Sequence, residues 1–267
     1  MEKILDVATL EKTHSNCETC LREKFSGKDG KKHIVVCGGT GCLSTGSKNL
    51  LEKFEKLIKE KNLSDKVTVN KVGCFGFCSQ GPFVKIYPEE TIYHAVKIND
   101  VDKIIDQDII GGQIVEELLY EDQQTHQKVK KLEDYSFYKK QKKIALYGCG
   151  VIDPESLVES LGYDGFKAFK KVLTMTPQQV VDEISKSGLR GRGGAGFPTG
   201  RKWQFALNQT SEQKYIVCNG DEGDPGAFMD ESILEGNPMG VIEGMMIAGY
   251  AIGATQGYFY IRAEYPV

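Results

Sequence analysis

Short apolar runs and one amphipathic stretch alternate along the first part of the chain. Residues 33–37 and 67–72 are rich in valine, and each run leads into a turn that contains glycine and cysteine. Runs of β-branched residues of this length, bounded by glycine, predict strands. Between them, apolar side chains recur every three or four positions over residues 47–61, with Lys and Glu in the intervening positions. This periodicity predicts an amphipathic helix.

The pattern continues with three shorter elements. Residues 82–88 and 91–96 are apolar segments separated by Pro88 and two glutamates, as the strands of a hairpin would be. A second helix is predicted near residues 101–110, because Gly111 and a further glycine follow it. The order strand, helix, strand, strand, strand, helix predicts a small α/β or thioredoxin-like unit.

A second α/β pattern occupies the last hundred residues. Thr176 followed by a proline predicts a helix start, and Gly188 predicts its end. A later helix is predicted to begin at Pro238, between strands at residues 214–219 and 257–265. Two strands joined through a helix indicate one α/β crossover in a sheet.

Between these halves, residues 120–143 carry many Lys, Glu and Asp, which predicts a solvated and partly helical connector. We therefore predict an α/β protein with four parts. They are an N-terminal segment (1–32), a cysteine-containing domain (33–112), a linker (113–145) and a second α/β domain (146–267).

Charge and composition narrow the classes of protein to consider. Lys and Arg number 34 and Asp and Glu number 37, giving a net charge of -3, which disfavours binding to nucleic acid or anionic lipid through a bulk field. The longest uncharged apolar stretch, residues 245–254, is about half of what a membrane-spanning helix needs, and no signal-peptide core begins the chain. We therefore predict a cytoplasmic protein without a membrane span. Its 8 cysteines would be reduced there, so that clustered ones indicate metal or redox sites.

Two cysteine pairs follow the two predicted strands. Cys37 and Cys42 form one pair and Cys74 and Cys78 the other, and glycines crowd both loops. Four thiolates from two loops suit a tetrahedral zinc ion or a 2Fe-2S cluster, and the wide spacing within each pair favours the cluster. Four unrelated core cysteines are the remaining alternative. On these motifs, residues 33–110 resemble the thioredoxin-like 2Fe-2S ferredoxin domain.

The other cysteines are less informative. Cys17 and Cys20, with His14, form half of a metal site, and zinc there would need a further ligand such as Cys149 or a residue of a partner subunit. A reduced, polar tail is the alternative. Cys149 and Cys218 are single cysteines among apolar neighbours, and we assign them no function.

A glycine loop and an acidic loop lie in the second half. The glycine loop, at residues 191–200, does not follow a strand as a dinucleotide fingerprint must, but its amides suit a phosphate, with charge from Arg192, Arg201 and Lys202. Phe197 and Trp203 offer flat surfaces; a flexible surface loop is the alternative. The acidic loop places four polar residues at a strand's carboxyl end, which suits ligand hydroxyls, or else forms a polar turn. These residues are Asn219, Asp221, Glu222 and Asp224.

Together, GRGGAGFPTGRKW, NGDEGDPGAF and YIRAEYP resemble the flavin-bearing NADH-binding subunit of respiratory complex I and its relatives in soluble hydrogenases and formate dehydrogenases, over residues 145–267. The resemblance implies the first part of a Rossmann-like domain that binds FMN and NAD or NADP. The positions that it implies for FMN are Gly191, Arg192, Gly193, Lys202, Asn219, Asp221 and Glu222. The positions that it implies for the dinucleotide are Phe197, Phe205 and Asp224, where many relatives have Glu in place of Asp224. Of all these, Glu222 and Lys202 are predicted to be catalytic.

A 2Fe-2S domain and a flavin domain on one chain most resemble the beta subunit of multimeric FeFe-hydrogenases, including electron-bifurcating ones. The resemblance implies a hydrogenase-like catalytic subunit, a small 2Fe-2S subunit and ferredoxin as partners. It also implies a 4Fe-4S cluster in a C-terminal part that the sequence lacks, and so a truncated chain. Rival hypotheses are a 2Fe-2S electron-transfer and docking module without flavin chemistry, a subunit of a formate dehydrogenase or complex I, and a zinc-stapled scaffold.

Overall fold

The computed structural model describes residues 6–263, and these form two compact units. The N-terminal unit comprises residues 11–163 with residues 235–237. The remaining described residues form the C-terminal unit. The last three residues of the predicted YIRAEYP motif, which follow Ala263, lie outside the described residues, as does the end of the predicted strand that contains them.

The N-terminal unit is built on a four-stranded mixed sheet with the order β2-β1-β3-β4. Strand β1 pairs with β2 in parallel and with β3 in antiparallel fashion, and β3 pairs with β4 as a hairpin. The predicted strands are thereby confirmed. The strands are β1 (Lys32–Cys37), β2 (Val67–Val72), β3 (Val84–Tyr87) and β4 (Thr91–Tyr93), with β5 (Tyr120–Glu121) and β6 (Lys128–Val129) as a separate pair. The helices are α1 (Val7–Ser26), α2 (Thr40–Ser44), α3 (Ser47–Glu60), α4 (Asp100–Lys103), α5 (Ser136–Lys139) and α6 (Leu157–Gly162).

Helix α3 confirms the predicted amphipathic helix. Its residues Leu50, Phe54 and Ile58 are buried and pack in one apolar cluster with Ile34 and Val36 of β1. Side chains four positions apart lie on one face of a helix, so the spacing seen in the sequence places all three against the sheet.

The helix predicted near residues 101–110 has two parts. Helix α4 continues directly as a π-helix, Ile104–Ile110, which ends before Gly111. Asp108 in the π-helical part is buried, and it accepts a hydrogen bond from the hydroxyl of Tyr93 at 2.5 Å. The ammonium group of Lys32 lies 3.3 Å from the same carboxylate. The wider turn thus places a paired carboxylate inside the unit.

The N-terminal segment is a helix rather than a polar tail. Leu10, His14, Cys17 and Leu21 are buried in α1, at the spacing of one helical face. Lys24 forms a 2.6 Å ion pair with Glu159 at the N-terminal turns of α6. Most of the other polar residues of α1 are exposed, which is why the composition suggested a tail.

The segment predicted to be a solvated connector contains buried side chains. The rings of Tyr120 and Tyr135 stack at 4.7 Å, and both are buried together with Tyr138. Asp122 accepts hydrogen bonds from the backbone amide and the hydroxyl of Ser136, at 2.6 and 2.8 Å. The segment is partly helical and mostly exposed, as expected, but these aromatic side chains and Asp122 are buried. The domain boundaries at residues 112 and 145 stay predictions.

The C-terminal unit pairs two parallel strands with a layer of helices. Its strands β7 (Tyr215–Gly220) and β8 (Gln256–Ile261) are in register from Tyr215 opposite Gln256 onward, which confirms the predicted crossover. Trp203 and Ile216 pack on the apolar cluster that includes Val181 and Ile252. The helices are α7 (Lys167–Val172), α8 (Pro177–Ser187), α9 (Thr199–Leu207), α10 (Met229–Gly236) and α11 (Pro238–Ile252).

Local signals set the ends of α8 as predicted. The hydroxyl of Thr176 accepts a hydrogen bond from the amide of Gln179, whose side chain accepts one from the amide of Thr176 in return. Gly188 ends the helix with a φ of 70°, a left-handed conformation that favours glycine.

None of the helices within residues 6–263 combines the length and the hydropathy that a membrane-spanning helix needs.

Candidate functional site

The two cysteine loops meet at one edge of the N-terminal sheet. Strands β1 and β2 are parallel, so the loops that follow them leave from the same edge. Cys37 is the last residue of β1, and its thiol hydrogen-bonds with the thiols of Cys42 and Cys74. The sulfur atoms of Cys74 and Cys78 are 3.5 Å apart. All four predicted ligands are therefore brought together.

The shape of this site fits a cluster of iron and sulfide. Two sulfurs on one tetrahedral metal with bonds of about 2.3 Å lie roughly 3.8 Å apart, close to the separation of Cys74 and Cys78. The loops approach each other through glycines. A Cβ on Gly39 would lie 2.8 Å from the Cβ of Cys74, and a Cβ on Gly81 would lie 2.6 Å from the sulfur of Cys42. Side chains at these positions would occupy the space that the sulfurs now hold.

A single metal ion is less well supported. Among residues 6–263, no group of three or more His, Cys, Asp or Glu side chains is placed to hold one metal ion. In a 2Fe-2S cluster with four cysteines each iron takes two of them, so that the cluster does not need three ligands around one point. The predicted zinc at Cys17 and Cys20 with His14 finds no support, since α1 buries His14 and Cys17 and leaves Cys20 exposed.

Backbone amides donate to the cysteine sulfurs. The amide of Gly76 donates to the sulfur of Cys74 at 3.2 Å, and the amide of Gly39 donates to Cys37. The amide of Gly38, by contrast, donates to the carbonyl of Val72 at 2.8 Å. Hydrogen bonds to ligand sulfurs stabilise the thiolate form that binds metal.

Hydrogen bonds between the thiols distribute their protons unequally. The bond with Cys42 raises the pKa of Cys37 to about 12, and the same bond lowers the pKa of Cys42. The bond with Cys37 is the main cause that raises the pKa of Cys74, to about 11. Metal binding to this site must therefore release protons.

The glycine loop is a short hairpin-like turn that opens helix α9. The amide of Gly191 donates to the carbonyl of Phe197 at 2.8 Å, and Arg190 and Pro198 form an antiparallel bridge beside it. A Cβ on Gly193 would meet nothing within 4 Å. The loop follows the end of α8, as predicted, and the space next to Gly193 is open.

Charged and aromatic side chains surround this loop. Lys202 and Arg192 are exposed, and the rings of Phe197 and Phe205 are 45% and 51% exposed, so that they are accessible to a ligand. The guanidinium of Arg201 lies 5.5 Å from the centre of the Phe205 ring. Trp203, the other predicted flat surface, is half-buried and packs on the apolar cluster that includes Val181.

The acidic loop follows β7 at its carboxyl end. Asn219 and Asp221 are linked, since the side-chain oxygen of Asn219 accepts a hydrogen bond from the amide of Asp221 at 3.0 Å. Asp224 is exposed. Arg262, at the carboxyl end of the neighbouring parallel strand, donates to the carbonyl of Glu222 at 2.8 Å. This arginine was not identified as a site residue from the sequence, although its position after β8 is a signal for it.

The carboxylate of Glu222 is engaged with helix α10. It accepts hydrogen bonds from the amides of Met229 at 2.8 Å, Asp230 at 3.0 Å and Glu231 at 3.2 Å. A carboxylate at a helix N-terminus satisfies amides that have no partner within the helix and interacts favourably with the helix dipole. In this structure Glu222 therefore stabilises the turn from the acidic loop into α10.

Comparisons with known proteins agree with this geometry. Residues 23–108 match the thioredoxin-like 2Fe-2S ferredoxin family, and residues 184–267 match the Nuo51 FMN-binding domain. The chain joins these two domains. The first match contains all four clustered cysteines, and the second contains the glycine and acidic loops.

Two curated relatives are subunits of a hydrogenase and of an NADH-quinone oxidoreductase. The chain is 60% identical over 129 residues to the NADP-reducing hydrogenase subunit HndC of Solidesulfovibrio fructosivorans, which covers 48% of this chain and 26% of that protein. It is 51% identical over 111 residues to the F subunit of the NADH-quinone oxidoreductase of Aquifex aeolicus, covering 42% of this chain and 26% of that protein. The chain thus matches about a quarter of the length of these relatives.

Among solved structures, the thioredoxin-like 2Fe-2S ferredoxin of Aquifex aeolicus is 32% identical, with a TM-score of 0.31. The match covers 33% of this chain and 94% of that chain.

The ferredoxin domain is contacted by residues that lie beyond its matched range. The hydroxyl of Tyr138 and the ammonium of Lys143 both donate to the carbonyl of Phe75, each at 2.9 Å. Phe77 stacks on Phe137 with 4.4 Å between ring centres. These residues were not identified from the sequence, and tyrosines spaced three apart within a charged run were the available signal. Cys78 is the one exposed residue of the four-cysteine group.

Proposed function

We propose that this chain is an electron-transferring oxidoreductase subunit that passes electrons between NAD(P)H, FMN and iron-sulfur clusters in a soluble, cytoplasmic, hydrogenase-type complex. The observation that carries the proposal is the convergence of Cys37, Cys42, Cys74 and Cys78 at one sheet edge, in a chain that also contains an FMN-binding domain. FMN takes up two electrons together and releases them singly, and a 2Fe-2S cluster carries one electron at a time.

The residues of the ferredoxin domain hold and shield the iron-sulfur site. Cys37 and Cys42 are each 1% exposed and Cys74 is 6% exposed, so water is kept from three ligands. Cys78 is exposed and leaves one side open. An electron donor or acceptor therefore approaches on the side of Cys78.

In the FMN-binding domain the glycine loop and the acidic loop bind different parts of FMN. The amide of Gly193 and the charge of Arg192 bind the FMN phosphate next to Gly191, whose own amide is bonded to Phe197, while Asn219 and Asp221 accept hydrogen bonds from the FMN hydroxyls. Phe197, Phe205 and Asp224 bind the dinucleotide.

Lys202 orients the reacting partners at the flavin edge. Glu222, the second predicted catalytic residue, reaches FMN only by sharing its carboxylate with the amides of α10.

The proposal extends to partners and further cofactors. The match to a subunit of an NADP-reducing hydrogenase supports other subunits of a hydrogenase-type complex as partners. We propose a hydrogenase-like catalytic subunit, a small 2Fe-2S subunit and ferredoxin among them, with electron bifurcation as the reaction. The resemblance also implies a 4Fe-4S cluster, which we propose as a further cofactor of the complex. A subunit of complex I or of a formate dehydrogenase is the alternative within the same chemistry, supported by the match to an NADH-quinone oxidoreductase.

A second candidate function is a 2Fe-2S electron-transfer and docking module without flavin chemistry of its own. The three hydrogen bonds from amides of α10 to the Glu222 carboxylate favour this candidate, because they leave that carboxylate fewer acceptor sites for FMN.

The cofactor content of the chain tests the proposal and separates the two candidates. The chain, purified anaerobically with any subunits that accompany it, is expected to contain about two irons and two sulfides for this domain, and to release FMN on denaturation. Iron and sulfide without flavin would support the docking module instead. A chain with neither sulfide nor flavin would contradict both.

Phe197 and Lys202 are expected to have different kinetic roles. Phe197→Ala removes an exposed ring that stacks on the dinucleotide, at a cost of about 1 kcal/mol, or roughly a fivefold higher KM for NADH or NADPH with little change in kcat. Lys202→Ala removes a charge near the flavin edge and is expected to lower kcat. Steady-state reduction of an artificial acceptor by each nucleotide measures both effects.

Flavin content provides the control for this pair. Both variants are expected to keep their FMN, because neither residue is the main phosphate ligand. Loss of flavin in Phe197→Ala, or unchanged nucleotide kinetics in both variants, would show that the dinucleotide does not bind over this loop.

A further inference from the structure

One peptide group beside the cysteine site is held at both of its ends. The carbonyl oxygen of Phe75 accepts hydrogen bonds from the hydroxyl of Tyr138 and the ammonium of Lys143, each at 2.9 Å. The amide of the same peptide group, that of Gly76, donates to the sulfur of Cys74 at 3.2 Å. A peptide group is planar and conjugated, so that donors at its oxygen polarise its N–H and strengthen the hydrogen bond that the N–H makes.

The backbone at this point depends on glycine. Gly76 has a φ of 85°, which residues with a Cβ rarely adopt, and its amide is oriented toward the sulfur of Cys74. Two donors on the adjoining carbonyl hold that orientation. The Phe75–Gly76 peptide therefore connects Lys143 and Tyr138 to Cys74.

Lys143 is placed where its charge is weakly screened. Its side chain is half-buried, and the ammonium lies 4.9 Å from the centre of the Tyr138 ring. Burial lowers the pKa of Lys143, while the neighbouring thiols of Cys149 and Cys74 act in the opposite direction. A charge in such a setting acts on its surroundings more strongly than an exposed charge does.

We propose that Lys143, with Tyr138 as second donor, is a positioning residue that raises the reduction potential of the iron-sulfur site through the Phe75–Gly76 peptide. The inference rests on the proposed 2Fe-2S cluster at the four cysteines. One-electron reduction, with the electron supplied by NAD(P)H through FMN, adds one negative charge to the cluster and its thiolates. A nearby positive charge and a stronger N–H···S bond stabilise the reduced form more than the oxidised form.

The chain offers a matched control for the charge. Lys142 precedes Lys143 in the same loop and is exposed. Within the described range 6–263, the ammonium of Lys142 takes part in no salt bridge and no hydrogen bond. Its removal therefore changes the charge of the loop without changing the donors on Phe75.

The test is a potentiometric titration of the purified full chain at one pH, followed by the EPR signal of the reduced cluster. Lys143→Met is expected to shift the midpoint potential to a more negative value, and Tyr138→Phe to shift it in the same direction by less. Lys143→Arg keeps a charged donor and is expected to stay close to the wild-type value. Lys142→Met is expected to leave the potential unchanged.

The measured potentials either support or overturn the role of Lys143. An unchanged potential in Lys143→Met, or a shift no larger than that of Lys142→Met, would overturn the inference while leaving the proposed function intact. If Lys143→Met fails to assemble a cluster, Tyr138→Phe decides in its place, with a lower potential in support and an unchanged potential against. A wild-type chain without two irons and two sulfides would overturn the proposed function, and this inference with it.

Discussion

Replacement of Cys74 by serine is expected to abolish the 2Fe-2S spectrum or to shift it strongly. The sulfur of Cys74 is 3.5 Å from that of Cys78 and hydrogen-bonds with the thiol of Cys37. Its removal therefore takes away a ligand that contacts two of the other three. Serine is a poorer ligand for iron than a thiolate, and we expect iron and sulfide to fall from about two of each per chain to a small fraction. Anaerobic purification with iron and sulfide determination and EPR of the reduced protein measures this.

Cys149→Ser is the matched control for this variant. Cys149 is also a buried cysteine, 3% exposed, in the same unit, but it is outside the four-cysteine group. The control is expected to keep its cluster. One zinc per chain with no sulfide in the wild type, or a wild-type spectrum in Cys74→Ser, would contradict the assignment of the site.

Helices with strong local signals were predictable from the sequence. The buried apolar residues of helix α3 recur every four positions and pack against the sheet. Helix α8 has a capping box at Thr176 and a left-handed glycine at its end. In these elements local preference and tertiary burial favour the same structure. Such agreement is why a pattern of residue types was sufficient.

Segments with mixed signals were not predictable in the same way. Helix α1 carries many charges, and its buried face is made partly by His14 and Cys17, which a hydrophobic pattern does not count. The segment around Tyr120 and Tyr135 is stabilised by stacking between rings that are far apart in sequence, and charged residues surround both. Their burial depends on the sheet that they cover, and this partner is not visible in the local sequence.

The candidate site also contains residues that were predictable from the sequence and residues that were not. The cysteines were predictable, because pairs of thiols after two parallel strands must converge at one sheet edge. The residues that adjust the site were not predictable. Lys143 and Tyr138 reach Phe75 from outside the matched ferredoxin range, and Glu222 was assigned to a cofactor although it also has a helix to cap. A carboxylate near a helix start has two possible roles, and only coordinates distinguish them.

Gly193→Val is expected to remove FMN from the protein while leaving the 2Fe-2S spectrum unchanged. A Cβ at this position would meet nothing within 4 Å, so the chain itself has room for the valine. The added side chain instead fills the open space next to Gly193, where we propose that the FMN phosphate approaches the backbone. We expect FMN binding to weaken by at least about tenfold, which corresponds to about 1.4 kcal/mol. Flavin released on denaturation, measured per two irons in the native protein with its accompanying subunits, gives the result.

Gly244→Val is a matched control, because it adds the same side chain in open space within α11, away from both loops. It is expected to keep a full complement of FMN, which would show that loss in Gly193→Val comes from the loop and not from the unit as a whole. A smaller side chain separates steric exclusion from backbone effects, and Gly193→Ala is expected to retain more flavin than the valine variant. Stoichiometric FMN in Gly193→Val would mean that the open side of the glycine loop faces something other than the flavin phosphate, and the assignment of Gly191 and Arg192 to FMN would then be wrong as well.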